Sequence, residues 1–172
     1  HPKLFEMTEI FINNSDILTV STPRFKKKAI FLYDKDDQYR PEVRSYHEIV
    51  RRFKSKKNSL IIIKEPYIKP GYLSQDYFAL KQKFKNIDSI QVCYYNPQLG
   101  LIPNEISDIF PAAHHETARV IFNSKEFSEF KTTWIKFFEN NKFSEIYFNK
   151  KDDFLKHFIK ILPKEIRKKS LN

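Results

Sequence analysis

Residues 59–65 read Ser-Leu-Ile-Ile-Ile-Lys-Glu, an apolar run set between two stretches of helical periodicity. Leu60 to Ile63 offer no polar face to water. A run of this kind suits a strand buried on both sides, as in a parallel sheet covered by helices. Before it, residues 40–56 place Val43, Tyr46, Val50 and Phe53 on one helical face. Pro41 stands at the first helical position, where its missing N–H has no partner to lose. After it, residues 74–85 read as a second helix, with Ser74 as N-cap and Leu73 and Phe78 spaced as a hydrophobic staple.

The alternation continues. Residues 89–95 form a β-branched and aromatic strand, 96–103 a loop, and 104–110 a short helix started by Pro103. Residues 118–123 read as a third strand. The next helix, 124–141, carries the stripe Phe127, Phe130, Trp134 and Phe137 and a capping box of Asn123 with Glu126. A fourth strand, 143–149, leads to a helix over 151–162 that opens on acidic residues and stops before Pro163. Strands alternating with helices predict an α/β fold, a parallel sheet with helices on both faces. In such sheets ligands sit beyond the carboxyl ends of the strands, which selects the loops 65–74, 95–104 and 123–126. The expected organisation is an N-terminal extension over 1–39 with short strands at 9–14 and 28–34, an α/β domain over 40–163, and a basic tail over 164–172.

Composition narrows the function. Gly71 and Gly100 are the only glycines, so neither a phosphate-cradling P-loop nor a G-x-G-x-x-G turn can be built, and no nucleotide cofactor is expected. Cys93 is the single cysteine, which excludes an internal disulfide and a multi-cysteine zinc site. It sits inside a strand pattern and reads as a small core residue. No apolar run reaches the length of a membrane span and no charged-then-apolar leader opens the chain, so a cytoplasmic protein is expected. The net charge of +10 is clustered at 24–28, 51–57, 81–85 and 164–169. Such clusters suit phosphate contacts, and Arg51, Arg52 and Lys54 are candidates for them.

The loops hold the other candidates. Lys69 could contact phosphate or polarise a substrate, Tyr72 could stack on a base, and Ser74 could present backbone N–H groups to phosphate while capping its helix. Asn96, at a strand's carboxyl end, could read a base edge. Glu105 could act as a general base. His114 and His115 are adjacent, so in an extended segment they face opposite ways and cannot share a metal; no metal site is expected.

Four short motifs in order resemble the central domain of archaeosine synthase, a family related to tRNA-guanine transglycosylases. They are Arg40-Pro41-Glu42-Val43; Lys69-Pro70 with Ser74; Asn96-Pro97, Leu99-Gly100, Pro103 and Glu105; and Phe110-Pro111-Ala112-Ala113-His114. The resemblance covers roughly residues 40–162. It implies a three-layer, uracil-DNA-glycosylase-like fold with a small four-stranded parallel sheet, and a role in forming the deazaguanine nucleoside archaeosine in tRNA. It selects His114 of the two histidines. It implies tRNA as partner and, as a second partner, a catalytic tRNA-guanine transglycosylase or archaeosine synthase subunit. The sequence departs from the pattern in the first loop, where Glu65 or Pro66 stands near the place of the family's cysteine. Gln98 is an extra residue, and Asn104 replaces an arginine. The missing cysteine argues for a protein that binds tRNA or assists a catalytic partner. An active enzyme working on the deazaguanine base through Lys69, Asn96, Glu105 and His114, and a protein–protein scaffold, are the alternatives.

Overall fold

A computed structural model describes residues 30–117 and 127–171. The expected strands at 9–14 and 118–123, the Asn123–Glu126 capping box and the basic cluster at 24–28 lie outside these residues.

Strand β1 (Ile30–Leu32) is followed by helix α1 (Pro41–Arg52), strand β2 (Ser59–Lys64) and helix α2 (Gln75–Lys83). Next come β3 (Ile90–Asn96), β4 (Gly100–Pro103) and β5 (His115–Thr117). Then α3 (Ser128–Asn140), β6 (Glu145–Phe148), α4 (Asp153–Ile159) and β7 (Arg167–Ser170) complete the described chain. Two sheets result: a five-stranded one in the order β4-β3-β2-β6-β7, and a two-stranded one of β1 and β5. Within the larger sheet β2, β3, β6 and β7 are parallel, and β4 runs antiparallel beside β3.

The α/β class and its parallel core agree with the sequence; the four-stranded sheet does not. Two strands were hidden. Residues 96–103 read as a loop in sequence, but Gly100 adopts φ 79° and turns the chain back so that Leu101 and Ile102 pair with Tyr95 and Tyr94. Residues 164–172 read as a basic tail in sequence, but Arg167–Ser170 pair with Glu145–Phe148 as an edge strand. Lysines on such an edge discourage further pairing, which is why the segment reads as tail rather than strand.

Leu60, Ile61 and Ile62 are wholly buried, as the apolar run requires. Helix α1 buries Val43, Tyr46 and Val50. The α3 stripe is buried too: Phe130 and Trp134 meet Phe158 of α4, and Phe137 stacks on Phe53 beyond α1. Tyr95 of β3 points to this side and stacks on Phe154. On the opposite face, Phe84 at the end of α2 meets Tyr147 of β6 edge-on. Helices therefore cover both faces. Cys93 lies in the core with no exposure, and burial pushes its thiol well up. No helix among the described residues is long and apolar enough to cross a membrane.

Candidate functional site

Three loops meet at the carboxyl ends of β2 and β3. The ladder between these strands continues one step past β2, where Glu65 N–H donates to the Tyr95 carbonyl at 3.0 Å. This fixes Glu65 beside the end of β3, where Asn96 closes the strand. Asn96 Nδ2 donates to Glu65 Oε2 at 2.9 Å. Its Oδ1 accepts the N–H groups of Gln98 and Leu99 at 2.9 and 3.1 Å, an Asx turn that shapes the β3–β4 connection. The amide is thereby oriented, with its NH2 directed at Glu65.

From the third loop comes His115, the first residue of β5. Its Nε2 lies 2.9 Å from Glu65 Oε2 and its Nδ1 lies 3.0 Å from the Pro111 carbonyl oxygen. Both ring nitrogens thus face oxygens. Lys69, four residues after Glu65, closes the group: its Nζ donates to the His115 carbonyl and stands 3.8 Å from Glu65 Oε2. Burial lowers the Lys69 pKa from the usual lysine range, opposed by the negative charges of Glu65 and Glu116. The His115 side chain has no exposure, and those of Glu65 and Lys69 keep 10% and 15%. Glu65 Oε2 is therefore the point on which the three loops converge, and the arrangement is a clasp of mutually satisfied polar groups.

Gly71 lets the first loop come down on the sheet. A Cβ there would stand 2.3 Å from Cε2 of the buried Tyr94 ring. The Tyr94 hydroxyl donates to Asn104 Oδ1 at 2.8 Å, tying β3 to the residue before Glu105. Gln98, an insertion by the motif comparison, is wholly buried and structural. Its carbonyl meets His47 Nε2 of α1 at 2.9 Å and its side-chain NH2 donates to the Asp34 carbonyl at 3.3 Å. Burial holds the His47 ring down to about pKa 4. It is therefore neutral near pH 7, and the 3.8 Å approach of its Nδ1 to Glu129 is not an ion pair.

Of the residues selected from sequence, Lys69 and Asn96 are brought together. Ser74 is the N-cap of α2, its Oγ accepting the Tyr77 N–H at 3.2 Å. Tyr72 is half-buried in the turn before α2. Glu105 is elsewhere: it accepts from Lys57 Nζ at 2.9 Å and Gln91 Nε2 at 2.6 Å. Those partners mark the amino ends of β2 and β3. Five residues of strand, about 16 Å at 3.3 Å per residue, separate Gln91 from Asn96. The antiparallel β4 carries Glu105 away from the site. His114 is exposed and contributes only backbone groups to the bend, its N–H donating to the Pro111 carbonyl at 3.0 Å. The buried partner is its neighbour. Arg51 is held between helices, pairing with Glu48 and with Glu129 at 2.6 Å and donating to Thr133 at 3.2 Å. Arg52 and Lys54 are exposed.

Glu65 and His115 are not among the candidates that the sequence singles out. The signal for Glu65 was present, a carboxylate at the carboxyl end of a buried parallel strand. For His115 it was the alternation of the bend, which puts one histidine in and one out.

The chain resembles a segment of tRNA-guanine(15) transglycosylases. That of Saccharolobus solfataricus is 26% identical over 152 residues, covering 85% of this chain and 29% of the relative. That of Methanobrevibacter smithii is 28% identical over 123 residues, 69% of this chain and 19% of the relative. That of Methanocaldococcus jannaschii is 22% identical over 130 residues, 75% and 18%. The chain thus spans less than a third of the length of these relatives. No family model matches it, and no solved structure matches it.

Proposed function

We propose that this chain is a tRNA-binding domain of archaeosine formation, which assists a catalytic tRNA-guanine transglycosylase or archaeosine synthase subunit in the cytoplasm. The observation that carries this reading is the similarity, over most of the chain, to relatives named tRNA-guanine(15) transglycosylase. The net charge of +10 agrees with a polyanionic partner. The uracil-DNA-glycosylase-like arrangement implied by the sequence motifs belongs to the same proposal.

An accessory role is supported over independent catalysis by the chemistry of the clasp. Lys69, Glu65, Asn96 and His115 are hydrogen-bonded to one another and to the backbone of their own loops. An enzyme using Lys69, Glu105 and His114 together would need Glu105 at the carboxyl ends of the strands, and it lies at the amino ends. Tyr67, Ile68, Leu73 and Phe78 are exposed on the loop and helix next to the clasp. They give a partner subunit an apolar surface beside the three loops.

Electrophoretic shift of archaeal tRNA by the purified chain, alone and with a catalytic transglycosylase, tests this. A salt-sensitive shift is expected, with nucleoside mass spectrometry showing tRNA unchanged by the chain alone. Absence of any shift in both settings refutes the proposal, and a modified deazaguanine nucleoside produced by the chain alone refutes the accessory role.

A further inference from the structure

The parallel sheet brings to one edge basic residues that the sequence holds far apart. Strands β2, β3, β6 and β7 start side by side: Ser59 is level with Ile90 and with Glu145, and Glu145 with Arg167. Their lead-in segments are joined as well, Ser144 N–H donating to the Asn58 carbonyl at 2.8 Å and Arg167 N–H to the Ser144 carbonyl at 2.9 Å. Each lead-in is basic. Lys54 and Lys56 precede β2, Lys85 precedes β3, Lys142 precedes β6, and Lys164 precedes Arg167 at the start of β7; all are exposed.

Two of the four acids on this edge are engaged. Glu105 pairs with Lys57, and Glu145 with Lys169 at 2.9 Å, while Asp88 and Glu165 are exposed. Lys54, Lys56, Lys85, Lys142 and Lys164 form no salt bridge among the described residues. Three inter-strand steps at about 4.8 Å make a basic rim about 14 Å long before side-chain reach is added. This is enough to face several successive phosphates of one nucleic-acid strand.

From this juxtaposition we infer that the amino-terminal edge of the sheet is a docking surface for the phosphate backbone of tRNA, at the opposite end of the sheet from the Glu65 clasp. The inference rests on the tRNA-binding reading and adds which surface carries the affinity. Contacts of this type position the RNA without reading its sequence.

The test uses the full chain and tRNA, with binding titrated across a salt series. The rim variant Lys54→Gln/Lys56→Gln/Lys142→Gln removes three exposed charges. The control Lys64→Gln/Lys150→Gln/Lys151→Gln removes three from exposed positions at the carboxyl ends of β2 and β6. The rim variant is expected to bind at least about tenfold more weakly near 0.1 M salt, with its salt slope reduced by about 2. The control should stay within about threefold of wild type, and both variants should melt as wild type does. Equal effects of the two variants, or a rim variant that binds as wild type does, overturn the rim while leaving tRNA binding in place. A wild-type chain that binds heparin but not tRNA overturns the rim's occupant and the tRNA-binding reading together.

Discussion

Replacing Glu65 with alanine isolates the group that holds the three loops together. Its Oε2 accepts from Asn96 Nδ2 at 2.9 Å, lies 2.9 Å from His115 Nε2 and stands 3.8 Å from Lys69 Nζ. Asn96 and His115 are nearly inaccessible, so water cannot replace the lost acceptor easily. A buried polar group left without a partner costs about 1–3 kcal/mol. Asn96 Nδ2 and His115 Nε2 keep each other at 3.3 Å, so losing the acceptor they share, with Lys69 deprived of its nearby carboxylate, gives a loss of about 2–4 kcal/mol. For a chain of this size each kcal/mol lowers Tm by about 2–4 °C, so the melting point should drop by about 10 °C. Glu65→Gln keeps one acceptor oxygen and should cost about 1–2 kcal/mol. Thermal unfolding followed by circular dichroism, with urea denaturation as a second measure, reads both. A double-mutant cycle with Asn96→Ala should show coupling of about 0.5–3 kcal/mol. If Glu65→Ala lies within about 0.5 kcal/mol of wild type, the clasp is not what holds these loops.

Two further substitutions probe the structure around the site. Gly71→Ala drives a methyl group into the Tyr94 ring, whose hydroxyl is held by Asn104. A loss of about 1–3 kcal/mol or more in urea unfolding is expected, and a neutral result would refute the close approach. His47 confers a pH dependence. Its folded pKa is about 4 against an ordinary 6.5, because burial disfavours the charged ring. Between these values the unfolded chain binds a proton that the folded chain does not, so stability falls as pH drops from about 6.5 to 4. The full loss is about 3 kcal/mol, and it should disappear from the difference between pH 7 and pH 4 stabilities in His47→Gln. An unchanged pH profile in that variant would contradict the assignment.

How much of this was legible in the sequence follows from what each segment had to signal. Leu60–Ile63 and the α1 face of Val43, Tyr46 and Val50 declare themselves, because burial leaves no alternative to an apolar residue. Strand β4 does not, since Pro97 and Gly100 announce a turn and only Leu101 and Ile102 remain to announce a strand. Strand β7 is written in Arg167, Lys168, Lys169 and Ser170, and its pairing is backbone to backbone, which composition does not encode. In the site, Lys69 and Asn96 follow from the rule that loops at strand carboxyl ends meet. Glu105 follows the same loop in sequence but crosses to the other end of the sheet once β4 turns antiparallel. The choice between His114 and His115 depends on the phase of the Pro111 bend. The motif resemblance pointed to the first, whereas the structure buries the second against Glu65. In sequence the basic rim is legible only as separate basic clusters, which parallel pairing brings together at the starts of four strands.

The most direct test of the account is the affinity of the full chain for archaeal tRNA over a salt series. The account predicts binding at low salt that weakens linearly with log salt, with a slope steeper than about −2, as expected for several phosphate contacts. No measurable binding at low salt, or binding indifferent to salt, would contradict it.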